Sequence, residues 1–534
     1  MSDGVSTPTQ QVADWLAGFG NALEQGDISR ATTMFDNECY WRDLVSFTWN
    51  IKTLESQSEI SAMLQTQLAQ VQPSNWQIDG EATEAGGVTE GWFTFETKVS
   101  RGKGKIRLKG DKCWTLLTTM VELKGFEEKR GPTREKGVAH GAFKERQTWL
   151  ERKQQEEAEL GYTKQPYVVI IGGGQGGIGL GARLKRLGVP TLIIEKNERP
   201  GDSWRKRYKS LCLHDPVWYD HMPYLPFPDH WPIFSPKDKI GDWLEMYTKV
   251  MELNYWGSTE CKSAQYDEAN QEWIVHVNRA GEDLVLRPKQ LVLATGMSAV
   301  PNVPQIPGAE NFKGDIHHSS KHPGAEQYTG KKCLVLGSNN SAHDICAALW
   351  ENGADVTMLQ RTSTHIAKSD TLMELALGGL YSEAALKNGI DHHKADLIFA
   401  SVPYKIMHTF HIPVYEEMAR RDADLYDRLR KVGFMLDFGG YYIDVGASEL
   451  IADGKIKLKS GVNIEQIKEH SVVLTDGTEL PADLIVLATG YSSMNGWAAK
   501  LISQEVADKV GKCWGLGSAT TKDPGPWEGE LRNM

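Results

Sequence analysis

A chain of 534 residues, at about 100 to 200 residues per domain, makes two to four domains. With 40% hydrophobic and 24% charged residues it is neither disordered nor fibrous, and a net charge of −11 sets its overall field against nucleic acid. The seven cysteines are scattered with no CxxC, no apolar run reaches membrane-spanning length, and MSDGVSTPTQQ lacks the profile of a signal peptide, which together point to the cytoplasm.

Apolar side chains at helical spacing (Val12, Trp15, Leu16, Phe19, Leu23) predict a helix over Gln11 to Leu23, and Ser58 to Leu68 repeat the pattern. Strand-like runs follow at Gly91 to Ser100, Lys105 to Leu108 and Trp114 to Leu123, so helices followed by antiparallel strands predict an α+β unit over residues 1–130. Residues 131–165 are mostly polar, and Lys144 to Leu160 reads as a solvated connecting helix.

At Tyr167 the character changes, because YVVII is the continuous β-branched run that a parallel strand buried on both faces requires. It leads into Gly172-Gly173-Gly174-Gln175-Gly176-Gly177 and a helix-like Leu180 to Leu187, the strand–turn–helix setting that a GxGxxG needs. Gly172 permits the tight turn, Gly174 lets the backbone approach a pyrophosphate, and Gly177 lets helix and strand pack closely, with the helix start supplying amide donors. After a second strand, Thr191 to Ile194, comes Glu195, where a carboxylate would accept hydrogen bonds from a ribose diol. Two more buried strands, Leu291 to Thr295 and Asp483 to Thr489, each lead into Ala-Thr-Gly, which places Thr295 and Gly490 among the candidate cofactor contacts.

The strand–glycine–helix device occurs twice. Lys332 to Leu336 precedes Gly337-Ser338-Asn339-Asn340-Ser341-Ala342 and a helix-like His343 to Trp350, with Asn339 in place of the middle glycine; asparagine can borrow a left-handed conformation, so the turn is expected to survive. Gly337, Asn340 and Ser341 would line this second site, and Arg361, just after the strand Val356 to Leu359, stands where the first motif has Glu195. A guanidinium there favours a 2′-phosphate and hence NADPH, although a solvated arginine at a strand end is the plainer reading. An acidic and a basic ribose selector in one chain suggest a flavin reduced by a nicotinamide, and without a CxxC the electrons leave by another route, to oxygen or to a separate acceptor.

Phe312-Lys313-Gly314-Asp315-Ile316-His317-His318-Ser319-Ser320-Lys321-His322 resembles the FxGxxxHxxx(aromatic) fingerprint of flavin-containing and Baeyer–Villiger monooxygenases, with His322 departing from the aromatic last position. Gly201-Asp202-Ser203-Trp204, Tyr208-Lys209-Ser210-Leu211 and Pro226-Phe227-Pro228 also resemble segments of the flavin domain in that family, so the likeness covers roughly Tyr167 to Trp497. The resemblance implies an α/β fold with two dinucleotide-binding, Rossmann-like domains: an FAD-binding domain over 166–310 and 481–534, and an NADP-binding domain over 311–480. It implies FAD held by Gly172, Gly174, Gly177, Glu195 and Trp204, and NADPH, with NADH as a second donor, held by Gly337, Ser341 and Arg361. His214 stands where the family has an asparagine beside the flavin, which makes it the candidate catalytic residue; packing beside Pro216 and Trp218 is the alternative.

The N-terminal unit resembles a nuclear transport factor 2-like cone, found fused upstream of some flavin monooxygenases in the type II branch. A catalytic carboxylate of its own, Asp43 or Asp36, is weighed against an assembly or lid role, which is preferred, and a homodimer fits by analogy. The paired histidines His317-His318 and His392-His393 lack metal-ligand spacing, so no metal is expected. The implied reaction inserts one oxygen atom of O2 into a small organic substrate through a flavin C4a-(hydro)peroxide, by N- or S-oxidation or Baeyer–Villiger oxidation of a ketone. Only forty-three residues follow Tyr491, fewer than the family pattern, and Phe438 to Tyr442 looks short. An NAD(P)H oxidase or reductase, and a truncated inactive nucleotide-binding protein, therefore stay open beside the monooxygenase.

Overall fold

In the computed structural model, residues 6–137, 140–298, 300–437 and 439–511 are described. They form two units: residues up to 137 cluster with 393–410 and 505–511, and the remaining stretches form the other.

The first unit opens with α1 (Pro8–Glu24), started by the Thr7 hydroxyl accepting from the Gln10 amide and by Pro8, and continues through α2 (Ile28–Thr33) and α3 (Gln57–Val71), capped by Ser56. Seven strands follow or intervene: β1 (Phe35–Leu44), β2 (Ile51–Leu54), β3 (Ser74–Ile78), β4 (Thr83–Ala85), β5 (Val88–Glu96), β6 (Ser100–Lys109) and β7 (Lys112–Leu123). They make one sheet in the order β2-β1-β7-β6-β5-β3, with β4 on β5. The expectation of helices first and antiparallel strands afterwards needs correcting, because β1 precedes α3 and pairs parallel with β7. Its polar Asp36, Asn37, Glu38, Arg42 and Asp43 concealed it from a search for apolar alternation.

The helices lie against an aromatic core in which Trp15 stacks on Phe19 and Trp76 stacks on Phe95, with Phe35, Trp41, Phe47 and Phe93 around them. Such rings bury large apolar areas and dominate the stability of the unit. Under them lies Asp43, wholly buried. Its Oδ1 accepts from the Ser46 amide (3.3 Å) and the Thr118 hydroxyl (2.8 Å), and its Oδ2 from the Phe47 amide (2.9 Å) and from the amide and hydroxyl of Thr48 (both 2.8 Å). Burial raises its pKa and these donors pull it back down. Both oxygens of Asp43 are thus engaged, holding the turn after β1 and tying it to Thr118 of β7, and Asp36 sits at the start of β1, its side chain accepting from the Asn37 amide at 2.6 Å.

Residues 393–410 fold with this unit, although the sequence places them inside the stretch 311–480. Arg42 Nε donates to the Ala400 carbonyl at 2.7 Å, and Arg107 Nη2 to the Ser401 hydroxyl at 2.9 Å. Arg42, Arg107 and Lys105 are all buried, and the one carboxylate of Glu90 pairs with the last two at 3.2 and 3.1 Å. Buried cations hold only where such partners are complete, so these contacts clamp the segment to the sheet.

In the second unit α4 (Trp149–Glu159) is the expected connecting helix, but shorter, and started by a capping box between Thr148 and Glu151. It is not merely solvated: Glu156 accepts from Lys185 and Asn254, both at 2.9 Å, which ties it to the α/β body. That body runs β8 (Val168–Ile171), α5 (Gln175–Arg186), β9 (Thr191–Ile194), α6 (Asp202–Arg205), α7 (Lys237–Val250) and β10 (Tyr255–Trp256). An antiparallel meander of β11 (Thr259–Asp267), β12 (Glu272–Arg279) and β13 (Glu282–Leu286) leads to β14 (Gln290–Leu293), completing a parallel sheet β10-β9-β8-β14.

The second parallel sheet begins with β15 (Asp315–His318), β16 (Lys332–Leu336), α8 (Asn340–Glu351) and β17 (Asp355–Gln360). β18 (His365–Lys368) and β19 (Tyr441–Asp444) pair with each other, β20 (Lys457–Ser460) joins the sheet, β21 (Ile464–Ile467), β22 (Ser471–Leu474) and β23 (Glu479–Pro481) make a small antiparallel sheet, and β24 (Leu484–Leu487) closes the set. The order is β15-β24-β16-β17-β20, all parallel. The strand before the second Ala-Thr-Gly, assigned from sequence to the segment 481–534, therefore belongs with the second glycine turn, and most of the segment after it, 512–534, lies outside the described residues, as do Cys513 and Phe438. Among the described residues no helix is long and apolar enough to cross a membrane.

If Asp43 serves the fold, Asp43→Ala lowers the unfolding midpoint of this unit in urea by an amount equivalent to about 3 kcal/mol or more, since several buried donors lose their acceptor. A variant that unfolds like the parent and loses only turnover would show Asp43 to be catalytic instead.

Candidate functional site

The two parallel sheets carry the same local device. In each, a strand enters a glycine turn and the next strand in the sheet ends in Ala-Thr-Gly: β8 pairs with β14, Ile171 opposite Leu293, and β16 with β24, Leu336 opposite Leu487. Gly172 has φ +111° and Gly337 φ +133°, a region that only glycine enters freely. A Cβ on Gly172 would lie 2.2 Å from the Ala294 carbonyl, and one on Gly337 2.3 Å from that of Ala488. Thr295 follows the first of those carbonyls directly; after the second come Thr489, whose hydroxyl donates to the Asn302 carbonyl at 2.5 Å, and then Gly490.

At the first turn Gly177 is as tightly placed, since a Cβ would meet the Gly172 carbonyl at 2.0 Å. Gly174 differs. Its backbone, at φ −80° and ψ −173°, suits any residue, and the nearest atom to a Cβ there is Ser203 Oγ at 4.0 Å. Gly176 also has nothing within 4 Å. Among the described residues no acceptor engages the Gln175 and Gly176 amides at the start of α5. The wall of this open space comes from α6, where Trp204 Nε1 donates to Gln175 Oε1 at 3.2 Å.

Glu195, at the end of β9, is buried and already partly engaged: its Oε2 accepts from the Gly173 amide at 2.9 Å, and its Oε1 from the Asn197 amide and side chain at 2.8 and 2.7 Å. The carboxylate is held in place beside the turn, with one lone pair of Oε2 left for a further donor. Arg361, in the equivalent place after β17, is exposed and has no ion pair among the described residues.

The second turn holds without the left-handed conformation expected of Asn339, whose φ −98° and ψ −169° are extended like those of Gly174. Its side chain is fixed instead: Oδ1 accepts from the Thr364 hydroxyl at 3.3 Å, and its amide fills the space over Gly440, where a Cβ would meet it at 2.3 Å. Asn340 Oδ1 accepts from the Ile443 amide at 3.0 Å. No acceptor engages the Asn340 and Ser341 amides at the start of α8 among the described residues, the same open donors that α5 offers.

Phe312, Gly314, His318 and His322 of the fingerprint make structural contacts. Phe312 packs in the core beside the second sheet, and a Cβ on Gly314 would meet the Asp483 carbonyl at 2.2 Å. His318 accepts the Ser320 amide at Nδ1 (3.1 Å), which leaves Nε2–H to donate to the Gly490 carbonyl (3.0 Å), so the ring staples β15 to the end of the second Ala-Thr-Gly. His322 takes the aromatic's place by lying parallel to Tyr328 and sharing a proton with His317 at 3.0 Å; burial lowers its pKa to about 4.

His214 lies on the segment that crosses between the two cores: Tyr208 before it packs with the second sheet, and Leu213 beside it with the first. Its Nε2 faces Asp344 Oδ2 at 3.3 Å, and the same oxygen accepts from the Tyr208 hydroxyl at 2.8 Å. Burial pushes its pKa down, but Asp344, joined by Asp215 and the Ile443 backbone, outweighs it and the net direction is up. Nearby, burial raises Asp215, and burial together with Asp215 raises Asp220 to about 7. Sequence reasoning named Tyr208 only as part of a resemblance and missed Asp344, whose signal, an acid on an otherwise apolar helix, was present but had no visible partner.

The chain can now be set beside known proteins. A family profile described as pyridine nucleotide-disulphide oxidoreductase matches residues 169–425. The chain is 30% identical over 354 residues to indole-3-pyruvate monooxygenase YUCCA1 of Oryza sativa subsp. japonica, covering 65% of this chain and 82% of that protein. It is 28% identical over 327 residues to the probable indole-3-pyruvate monooxygenase YUCCA9 of Arabidopsis thaliana, covering 61% and 75%. Among solved structures, cyclohexanone monooxygenase bound to epsilon-caprolactone aligns with a TM-score of 0.51 at 19% identity, over 63% of this chain and 76% of that one. An oxidized steroid monooxygenase bound to NADP aligns at 0.50 and 20% identity, over 64% and 74%. These likenesses in structure speak to the fold.

The contrast between the glycines is testable by thermal unfolding of the nucleotide-free proteins. Gly177→Ala is expected to destabilise by about 2 kcal/mol or more through overpacking, lowering the melting temperature by several degrees, whereas Gly174→Ala should melt like the parent; equal losses would mean that the fold itself demands both glycines.

Proposed function

The chain belongs to the flavin-containing monooxygenase family, and on that premise we propose that it uses FAD and NADPH to insert one atom of O2 into a small organic substrate. The observation that carries this reading is the space at Gly174 and Gly176. Neither position is closed to a side chain by the protein, neither needs a positive φ, and unengaged amides of α5 open beside them. A backbone stripped of side chains where the fold does not require it suits a pyrophosphate lying against a helix start.

In this reading Gly172, Gly174, Gly177, Glu195, Trp204, Thr295 and Gly490 hold the flavin nucleotide. Gly337, Asn340, Ser341 and Arg361 hold the nicotinamide nucleotide. Asn197 and the Gly173 amide pre-orient Glu195 for the ribose diol, and the exposed Arg361 meets the 2′-phosphate that distinguishes NADPH from NADH. When bound, the nicotinamide supplies hydride and the flavin accepts it and activates oxygen. His214 presents its imidazole, whose charged form Asp344 favours, where the chain crosses between the two nucleotide-binding halves. The YUCCA relatives are named for indole-3-pyruvate, which carries a ketone, so ketones lead the substrate screen, followed by sulfides and amines.

Mixing the purified protein with NADPH without oxygen is expected to bleach a flavin absorbance, and admitting 18O2 to restore it while labelling the product. NADPH consumption matched by hydrogen peroxide, with no labelled product from any of the three substrate classes, would make the protein an oxidase. Gly174→Ala, stable because the space for its Cβ is open, should be purified with much less flavin. Arg361→Ala is expected to raise KM for NADPH about 10- to 100-fold, the loss of a charged hydrogen bond worth about 1.5–3 kcal/mol, and to leave KM for NADH nearly unchanged; an equal rise for both would remove the phosphate role.

A further inference from the structure

The acid on α8 has two partners from a distant part of the chain, and they share one oxygen. Asp344 Oδ2 accepts from the Tyr208 hydroxyl at 2.8 Å and faces His214 Nε2 at 3.3 Å, while the side chains of His214 and Asp344 are only 11% and 8% exposed. Its sequence neighbours on the same helix face the other way: Ile345, Cys346 and Leu349 fill the core, and His343 lies flat against Tyr442 at 3.9 Å. Asp344 therefore stands at the beginning of α8, a few residues after the second glycine turn, and reaches back to the crossing segment. It couples the start of the helix that would hold one nucleotide to the histidine beside the other.

We propose that Asp344 is a positioning residue for the reaction: it fixes the ring of His214 through Nε2, with Tyr208 holding the carboxylate in place. This rests on the reading of His214 given under the proposed function, and Asp344 acts on the bound cofactors only through that ring. The other titratable groups facing His214 are His343 from α8, Tyr442 from β19, whose ring stands edge-on at 6.0 Å, and Asp215 from its own segment. Of these only Asp215 also favours the charged ring, His343 opposes it, and Asp215 makes no hydrogen bond to His214. His214 Nδ1 is buried without a hydrogen bond of good geometry, the Ile443 carbonyl adding the last and smallest pull toward the charged form, so Nε2 is the end by which the ring is held. An imidazolium paired this way persists to higher pH than the ordinary 6.5 and is lost as pH rises through its folded pKa.

The pair can be watched in the full-length protein by titrating histidines labelled with 13C at Cε1, the His214 signal being assigned by its disappearance in His214→Asn. In the parent its midpoint is expected above 6.5. Asp344→Asn should lower it by about one pH unit or more, because burial is then opposed mainly by Asp215, which makes no hydrogen bond to the ring, and Asp344→Glu should restore it. Tyr208→Phe, which leaves Asp344 to His214 alone, should keep the midpoint high. The rate of flavin bleaching by NADPH is followed over the same pH range in each protein, and its midpoint is expected to move with that of His214. A His214 midpoint that stays put in Asp344→Asn overturns the proposal. A midpoint that moves while the bleaching profile does not refutes the placement of His214 at the reacting centre, and with it the positioning role, leaving only the ion pair.

Discussion

The close approach of two glycine turns to two carbonyls underlies most of this molecule. At Gly172 and Gly337 the chain leaves a parallel strand and passes so near to Ala294 and Ala488 that no methyl group fits, and both turns take a backbone conformation that glycine alone enters freely. The neighbouring strand in each sheet is the one that ends in Ala-Thr-Gly, so turn and carbonyl are brought together by strand pairing, not by their separation along the chain. Both parallel-sheet halves are built outward from that geometry. The helix starts lie at the mouths of the turns, their first amides are left open, and His318 fastens the end of the second Ala-Thr-Gly to β15.

The charged groups divide by what surrounds them. Glu195 and Arg361 occupy equivalent places after the second strand of each half, yet one is buried and braced by the Gly173 amide and Asn197, and the other is exposed and unpaired among the described residues. A braced carboxylate is ready to accept from neutral hydroxyls, whereas an exposed guanidinium suits a dianionic phosphate arriving from solvent. Between the halves, Asp344, Tyr208 and His214 form a small buried network in which one carboxylate oxygen accepts from the Tyr208 hydroxyl and faces the His214 ring nitrogen.

The N-terminal unit obeys a different logic. Its stability comes from stacked and edge-on aromatic rings, and its buried charges serve to hold chain: Asp43 gathers the turn after β1, and Arg42 and Arg107 hold residues 400 and 401. With both of its oxygens engaged by amides and hydroxyls, Asp43 serves the fold of the unit.

Periodicity and spacing were enough to find α1, α3, both glycine turns, the strands into them and the pair Glu195 and Arg361, because each is dictated by local chemistry: apolar side chains at a helical or buried-strand period, and glycine where a turn admits nothing else. Other features depended on groups far apart in sequence. The polar strand β1 exists because β7 and β2 pair with it, the extended Asn339 is held by Thr364 and Gly440, and residues 393–410 join the N-terminal unit through buried arginines. Local sequence determined which backbone turns could form, since a missing Cβ is written in the chain. Only the tertiary structure decided which charges meet, since the partner of His214 lies on a helix 130 positions further on and no spacing rule connects them.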